Sequence, residues 1–284
     1  MNSIYITCTL VIFCFFLLIY ILYLLFNQTL HVSSYSISDS KVPNSFNNYK
    51  IVHLSDLHNK SFGLNQHQLI SIINKLSPDL IVMTGDMIDK KLTDFKNTES
   101  LFKGVSNIAP VIAVSGNHEI ETPDIDSKIC DLYKKHNITH LINKSITLEK
   151  NNESIYIYGI GYTGVIDETF DKIDSLLKTI IQPAPNNKFS ILLNHRSDTF
   201  DNVYKYNYSL VLSGHAHGGI IRLPLIGGVI SNNRTLFPKY DNGLYKKGNS
   251  SLIVSRGLGQ SNKLPRLLNR PDIVFITLQA QTTE

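Results

Sequence analysis

Imidazoles and carboxylates recur in this chain at short, regular offsets from apolar runs. KIVHL (50–54) is followed by Asp56 and His58, and LIVM (80–83) by Gly85, Asp86 and Asp89. VIAV (111–114) is followed by Gly116, Asn117, His118 and Glu119. FSILL (189–193) leads to His195, and SLVL (209–212) to His215 and His217 within GHAHGG. The donors are carboxylate, imidazole and one amide, with no cysteine. That mixed set suits Mn, Fe or Zn, and suits Ca poorly because Ca prefers an all-oxygen shell. Asp56, His58, Asp86, Asn117, His195, His215 and His217 make seven donors. One ion has no use for seven protein ligands. Two divalent ions sharing a carboxylate use them all and leave positions open for water and substrate. Two ions ~3.5–4 Å apart can stabilise both the attacking and the leaving oxygen of a displacement.

The offsets have meaning only if the apolar runs are strands. Eight Ile- and Val-rich runs read so: the five above, with SIYIYGI (154–160), SLIVS (251–255) and DIVFITL (272–278). Apolar residues at helical spacing fill LNQHQLISIINKL (64–76), DIDSKICDLYKKH (124–136) and DETFDKIDSLLKTI (167–180), with Pro78 and Pro110 punctuating helix ends. Strand–helix alternation predicts α/β layers. In open α/β sheets, ligands bind beyond the carboxyl ends of strands, and every candidate donor lies at such an end. If GHAHGG is extended, His215 and His217 point the same way, ~6.5–7 Å apart. That spacing is wide for one ion and predicts one ion for each imidazole. Gly214, Gly218 and Gly219 then let bare backbone approach the metals.

The N-terminus is of another kind. Residues 4–26 hold no charge and make a helix of ~35 Å, enough for a ~30 Å hydrocarbon core. No basic residue precedes the run, and it is too long for a secretory signal, so it reads as an uncleaved single-pass anchor. The chain divides into an anchor (1–27), a linker (28–48) that holds one early strand, HVSSYSI, and one catalytic body (49–284). Lys41 and Lys50 follow the anchor and tilt the positive-inside reading toward a cytoplasmic body, leaving the side of the membrane open. Cys8 and Cys14 lie in the anchor and Cys130 stands apart, so no disulfide framework exists. The formal net charge is +4 without dense basic runs, which argues against a nucleic-acid partner.

The series DLH, GDMID, GNHE, NH and GHAHGG resembles the calcineurin-like metallophosphoesterases over residues 49–278. The tail GHAHGGIIRLPLIGG…LFPKYDNGLY…SRGLG is similar to their membrane-anchored YaeI/YkuE-type phosphodiesterase branch. The resemblance implies a four-layer α/β/β/α sandwich of the metallo-dependent phosphatase type. It implies that Asp56, His58 and His217 hold a first metal, that Asn117, His195 and His215 hold a second, and that Asp86 bridges. It also implies that His118 is the general acid and that Asp89 orients it. Two cations would generate a bridging hydroxide, because metal lowers the pKa of water from ~15.7 towards ~7. A histidine near neutral pH can protonate the leaving alkoxide. GDMIDKK lacks the arginine of the phosphoprotein phosphatases, which leaves the phosphate-binding group open.

The implied activity is hydrolysis of a phosphodiester or pyrophosphate, in a lipid-linked substrate such as UDP-2,3-diacylglucosamine. A phosphomonoesterase or nucleotidase would use the same site, and a non-catalytic metal-binding scaffold would use the same fold. Among the remaining residues, His53 reads as core, His67, His136 and His140 as surface, and His31 as linker. Asp89 has a helix-cap alternative. Glu119 reads as a supporting or capping residue. Arg196 reads either as a phosphate ligand or as half of a surface ion pair. KLPRLLNRP (263–271) and LPLIGGV (223–229) read either as lipid-contacting segments or as core.

Overall fold

The computed structural model describes residues 2–91, 94–120, 123–161, 170–223, 225–230, 235–261 and 266–281. Helix α1 (Asn2–Gln28) carries the uncharged run, and its Ile4–Tyr23 window is long and apolar enough to cross a membrane, with 0% of it buried. The first half of the body runs β1 (His31–Asp39), β2 (Lys50–Leu54), α2 (His67–Leu76), β3 (Leu80–Met83), α3 (Lys96–Val105), β4 (Val111–Ala113), a short α4 (Asn117–Ile120), α5 (Pro123–Lys135) and β5 (Thr139–His140). The second half runs β6 (Lys144–Lys150), β7 (Glu153–Gly159), α6 (Phe170–Ile180), β8 (Ser190–Arg196), α7 (Phe200–Val203) and β9 (Leu210–Gly214), then β10 (Arg222–Leu223), β11 (Gly227–Gly228), β12 (Gly243–Lys247), β13 (Ser250–Val254) and β14 (Asp272–Ala280).

Two six-stranded sheets form, ordered β1-β14-β2-β3-β4-β5 and β12-β13-β9-β8-β7-β6. Side chains alternate across each strand, so successive residues serve different layers. Ile51, Val82 and Ile112 face Ile157, Ile191 and Leu212 in a core between the sheets. Their neighbours Val52, Ile81 and Ala113 turn outward and pack under Leu69, Phe102 and Ile129 of α2, α3 and α5. Leu192, Val211 and Leu252 do the same beneath Leu177 of α6 and Phe200 of α7. Burial on both faces explains why the central strands are continuous apolar runs. The result is the four-layer α/β/β/α sandwich. Strands β2, β3 and β4 are mutually parallel, as are β7, β8, β9 and β13, so their carboxyl ends gather the following loops at one rim.

The sheet edges differ from the sequence reading. The early strand in the expected linker is a nine-residue partner of β14, in register from His31↔Asp272 to Asp39↔Ala280, and Val42 and Phe46 behind it are buried. KSITLEK and GLYKK were not expected as strands, yet they form β6 and β12 at the two edges of the second sheet. Edge strands bury little and carry charge against further pairing, so they lack an apolar signature. Helix α2 starts at His67, later than its apolar spacing suggests, because Asn65 and Gln66 take left-handed φ of 51° and 60°. His53 is core, with Nε2 2.7 Å from Thr84 Oγ1. His67 is exposed. His136 and His140 are half-buried, not at the surface, and His140 Nε2 lies 2.9 Å from Ser115 Oγ.

Candidate metal centre

Three of the strand-end loops deliver their donors through bent backbone, while His195 lies within β8 and Asn117 opens α4. Asp56 (φ 52°), His58 (48°), Asp86 (54°), His215 (67°) and His217 (51°) all occupy the left-handed region. Such a conformation costs a non-glycine residue about 1–2 kcal/mol, and Asp and His tolerate it better than bulkier types. Five strained residues at one rim are held there by their surroundings. Asp56 N–H donates to Gly85 O at 3.0 Å and His58 N–H to Asp86 O at 3.0 Å, so the first two loops brace each other. GHAHGG is therefore not extended, which corrects the sequence reading: β9 stops at Gly214 and both histidines lie in the turn beyond it. The glycines also divide differently. A Cβ on Gly214 would lie 1.9 Å from Ser55 Oγ and 2.3 Å from Asp56 Oδ2, so this glycine admits the metal-site carboxylate. Gly218 and Gly219 instead meet Arg256 and Gly228.

The donors converge in two overlapping groups. Asp56, His58, Asp86 and His217 offer atoms all within 4.8 Å of one another, and so do Asp86, His195 and His215. His58 Nε2 and His217 Nε2 are 3.2 Å apart, and His217 Nε2 is 3.4 Å from Asp56 Oδ1. In the second group His215 Nδ1 is 3.1 Å, and Asn117 Oδ1 3.2 Å, from His195 Nε2. His195 Nδ1 donates to Thr84 O at 2.7 Å, which turns Nε2 inward. Although burial opposes its charging, Asp86 and then Asp56 raise the ring to about 9, a proton that a bound cation would displace. Asp86 belongs to both groups. Its Oδ1 accepts the His118 backbone N–H at 2.9 Å, while Oδ2 lies 3.4 Å from His195 Nε2 and 3.7 Å from His58 Nε2.

This donor set fits a pair of cations. All of Asp56, His58, Asp86, His195 and His217 are buried, and His58 Nδ1 has no hydrogen-bond partner. Burial pushes the Asp56 carboxyl up to about 6, His195 opposing and Asp86 adding to it. Burial likewise drives His58 down to about 3 and His215 down to about 4, with His195 contributing to the latter. Two buried carboxylates facing several deprotonated imidazoles form a divalent-cation environment, since a cation stabilises both forms.

Glu119 carries the support the sequence reading gave it. Its Oε2 accepts N–H groups of Asp86 (2.8 Å) and Gly116 (2.7 Å), and its Oε1 those of Met87 (2.7 Å) and Ile88 (3.3 Å). One buried carboxylate thus fixes the loop that presents Asp86. His58, Asp89 and His118 form a further group. His118 Nδ1 accepts the Lys90 N–H at 3.1 Å and is 3.5 Å from Asp89 Oδ1. Burial opposes charging His118, but Asp89 and Asp86 outweigh it and raise its pKa. Asp89 also accepts the Lys91 N–H at 3.0 Å, in a turn and not as a helix cap. Arg196 pairs with Asp198 at 3.0 and 2.5 Å, the ion-pair alternative.

Sequence reasoning gave Arg266 and Asn269 no place at the site, reading their segment KLPRLLNRP only as lipid-contacting or core. Asn269 Nδ2 donates to His217 O at 2.7 Å, and Arg266 Nη2 is 3.5 Å from His217 Nδ1. No spacing links residues about fifty positions apart. In KLPRLLNRP, Lys263 lies outside the described residues, Arg266 is 1% exposed, and Arg270 donates to Thr29 O (3.2 Å) and Leu30 O (2.7 Å). Neither described arginine faces a lipid surface freely. In LPLIGGV, Leu225 and Ile226 are exposed.

Comparison with known proteins places this arrangement. Residues 49–219 match the family described as calcineurin-like phosphoesterase. The chain is 31% identical over 270 residues to the metallophosphoesterase Cj0846 of Campylobacter jejuni, covering 93% of this chain and 68% of that one. It is 28% identical over 265 residues to the metallophosphoesterase YkuE of Bacillus subtilis, covering 88% and 86% of the two chains. With the phosphodiesterase YaeI of Escherichia coli it shares 26% identity over 238 residues, covering 81% and 82%. On its matched sequence and its buried clusters of metal-ligating side chains, the chain belongs to the calcineurin-like phosphoesterase family, whose members are metal-dependent phosphoester hydrolases.

Proposed function

We propose that this protein is a membrane-anchored phosphodiesterase that cleaves a phosphodiester or pyrophosphate bond in a lipid-linked substrate at a two-metal centre. The observation that carries the two-metal reading is Asp86, whose Oδ2 stands within 3.4–3.7 Å of imidazoles from both donor groups. Asp56, His58 and His217 would hold one cation and Asn117, His195 and His215 the other, with Asp86 placed to serve both. Divalent cations bound there supply Lewis-acid charge and a water acidic enough to be nucleophilic near neutral pH. The residues do the rest. Glu119 and the His118 amide keep Asp86 from turning away. His118 carries the proton for the leaving oxygen on Nε2, since Nδ1 is occupied by the Lys90 N–H. Charging the ring converts Nδ1 from acceptor to donor and brings Asp89 in as its partner.

The chain path supports a substrate at the bilayer. α1 ends at Gln28, and Arg270 grips the carbonyls of Thr29 and Leu30 immediately after it. The same short segment places Asn269 on His217 and Leu267 beside Ile221, at the start of the turn that exposes Leu225 and Ile226. The membrane exit and a metal ligand are therefore joined through a handful of residues. Mn-loaded protein is expected to hydrolyse bis(p-nitrophenyl) phosphate faster than p-nitrophenyl phosphate. His118→Ala is expected to lose roughly 10²–10⁴-fold in turnover while keeping its metal. UDP-2,3-diacylglucosamine is the first natural substrate to assay. Preference for the monoester would move the assignment to a phosphomonoesterase, and unchanged turnover in His118→Ala would remove that residue from the chemistry.

A further inference from the structure

Arg266 is the largest of the fully buried side chains, 1% exposed. Its Nε donates to Gly259 O at 3.1 Å, Nη2 reaches the same carbonyl, and Nη1 has no partner among the described residues. Among the described residues no carboxylate pairs with it within 4.0 Å. Asp272, one of the two carboxylates that act on it through space, is taken by Arg256 at 3.0 Å. The other, Asp56, is engaged by the His215 amide and by His217. Lys60 adds positive charge on this side, where burial first and then Arg266 lower its pKa to about 7. A buried guanidinium without a counter-ion is costly and calls for an anion.

The donors on Gly259 O account for part of this. They hold the Gly257–Gly259 turn against Asp56, whose carbonyl accepts the Gly259 N–H at 2.6 Å. A neutral side chain could make such a clamp. It does not explain a full charge buried with one amino group left over, beside a histidine of the first donor group.

We infer that Arg266 is an anion-binding residue of the substrate site, its Nη1 taking a phosphate oxygen of the substrate. The inference rests on the phosphoester reading. Guanidinium suits this task because its planar fork matches phosphate oxygens and stays charged when desolvated. The oxygen belongs either to the phosphoryl group that is cleaved or to a second phosphate beside it.

The test uses the full chain in detergent, loaded with Mn, and calorimetric binding of inorganic phosphate and of methylenediphosphonate. Arg266→Gln is expected to weaken at least one ligand about tenfold or more. Metal content and melting temperature should hold, and Arg266→Lys should recover part of the loss. Weakening toward phosphate assigns the cleaved group, and weakening toward the diphosphonate alone assigns a neighbouring phosphate. Affinities within twofold of wild type overturn the inference, as does a loss that merely follows lost metal. If neither variant folds, the wild-type crystal structure with bound phosphate decides. Nη1 on a phosphate oxygen is expected, and an Arg266 bound to Gly259 O alone overturns the assignment. A wild type that binds phosphate through Arg266 yet hydrolyses nothing removes the proposed activity without removing this site.

Discussion

Glu119→Gln is the substitution that tests how the centre is held. The change is nearly isosteric, but a carboxylate accepting four N–H groups becomes an amide with one acceptor. In either orientation of the amide, two buried N–H groups lose their partner. They are either those of Asp86 and Gly116, or those of Met87 and Ile88. A buried donor left unsatisfied costs about 1–3 kcal/mol, so the pair costs about 2–6 kcal/mol. Part is returned, because burial and then Asp86 push the Glu119 carboxyl up to about 7, and the neutral amide is spared that strain. The expected net loss is about 2–4 kcal/mol, a fall of about 5–15 °C in melting temperature for a domain of this size. With its loop loosened, Asp86 should lose the position shared by the two donor groups, and metal content is then expected to drop below two ions per chain. Thermal melting and elemental analysis of the same preparation read both quantities. A shift under about 2 °C with both ions retained would refute the claim that Glu119 builds the bridge.

Two further outcomes follow from parts outside the two donor groups. Asp272 is buried, which opposes ionisation, yet His31, Arg256 and Ser33 hold its carboxyl down to about 2. Its folded pKa is depressed, so its contribution of about 2 kcal/mol is present above the unfolded value near 4 and is lost as pH falls toward 2. The melting temperature of Asp272→Asn should start lower and fall less than wild type between about pH 4 and pH 2; parallel curves would contradict this. Removing residues 1–27 should release the protein from carbonate-washed membranes while leaving the body folded, since the Ile4–Tyr23 window is 0% buried. A truncated chain that still sediments with membranes would transfer the attachment to the exposed Leu225 and Ile226.

Legibility in the sequence followed burial. Strands β2, β3, β8 and β9 are buried on both faces, so their apolar runs announced them, and the donors just beyond each run were legible for the same reason. Strands β6 and β12 are half-wet edges whose composition matches loops. The identity of the donors and their offsets from the strands are local properties of the chain. Which donors share a cation is not. The backbone bends that aim His215 toward His195 and His217 toward His58 arise from contacts with other loops. Glu119 serving Asp86, and Arg266 reaching His217, join residues about 30 and 50 positions apart. The sequence by itself determined the ligand types, their strand-end positions and the apolar helix, because those depend on pattern and composition. The tertiary structure alone decided the backbone bends at the strand ends, the hold of Glu119 on the Asp86 loop and the burial of Arg266 behind His217, because these depend on which loops the two sheets bring to one rim.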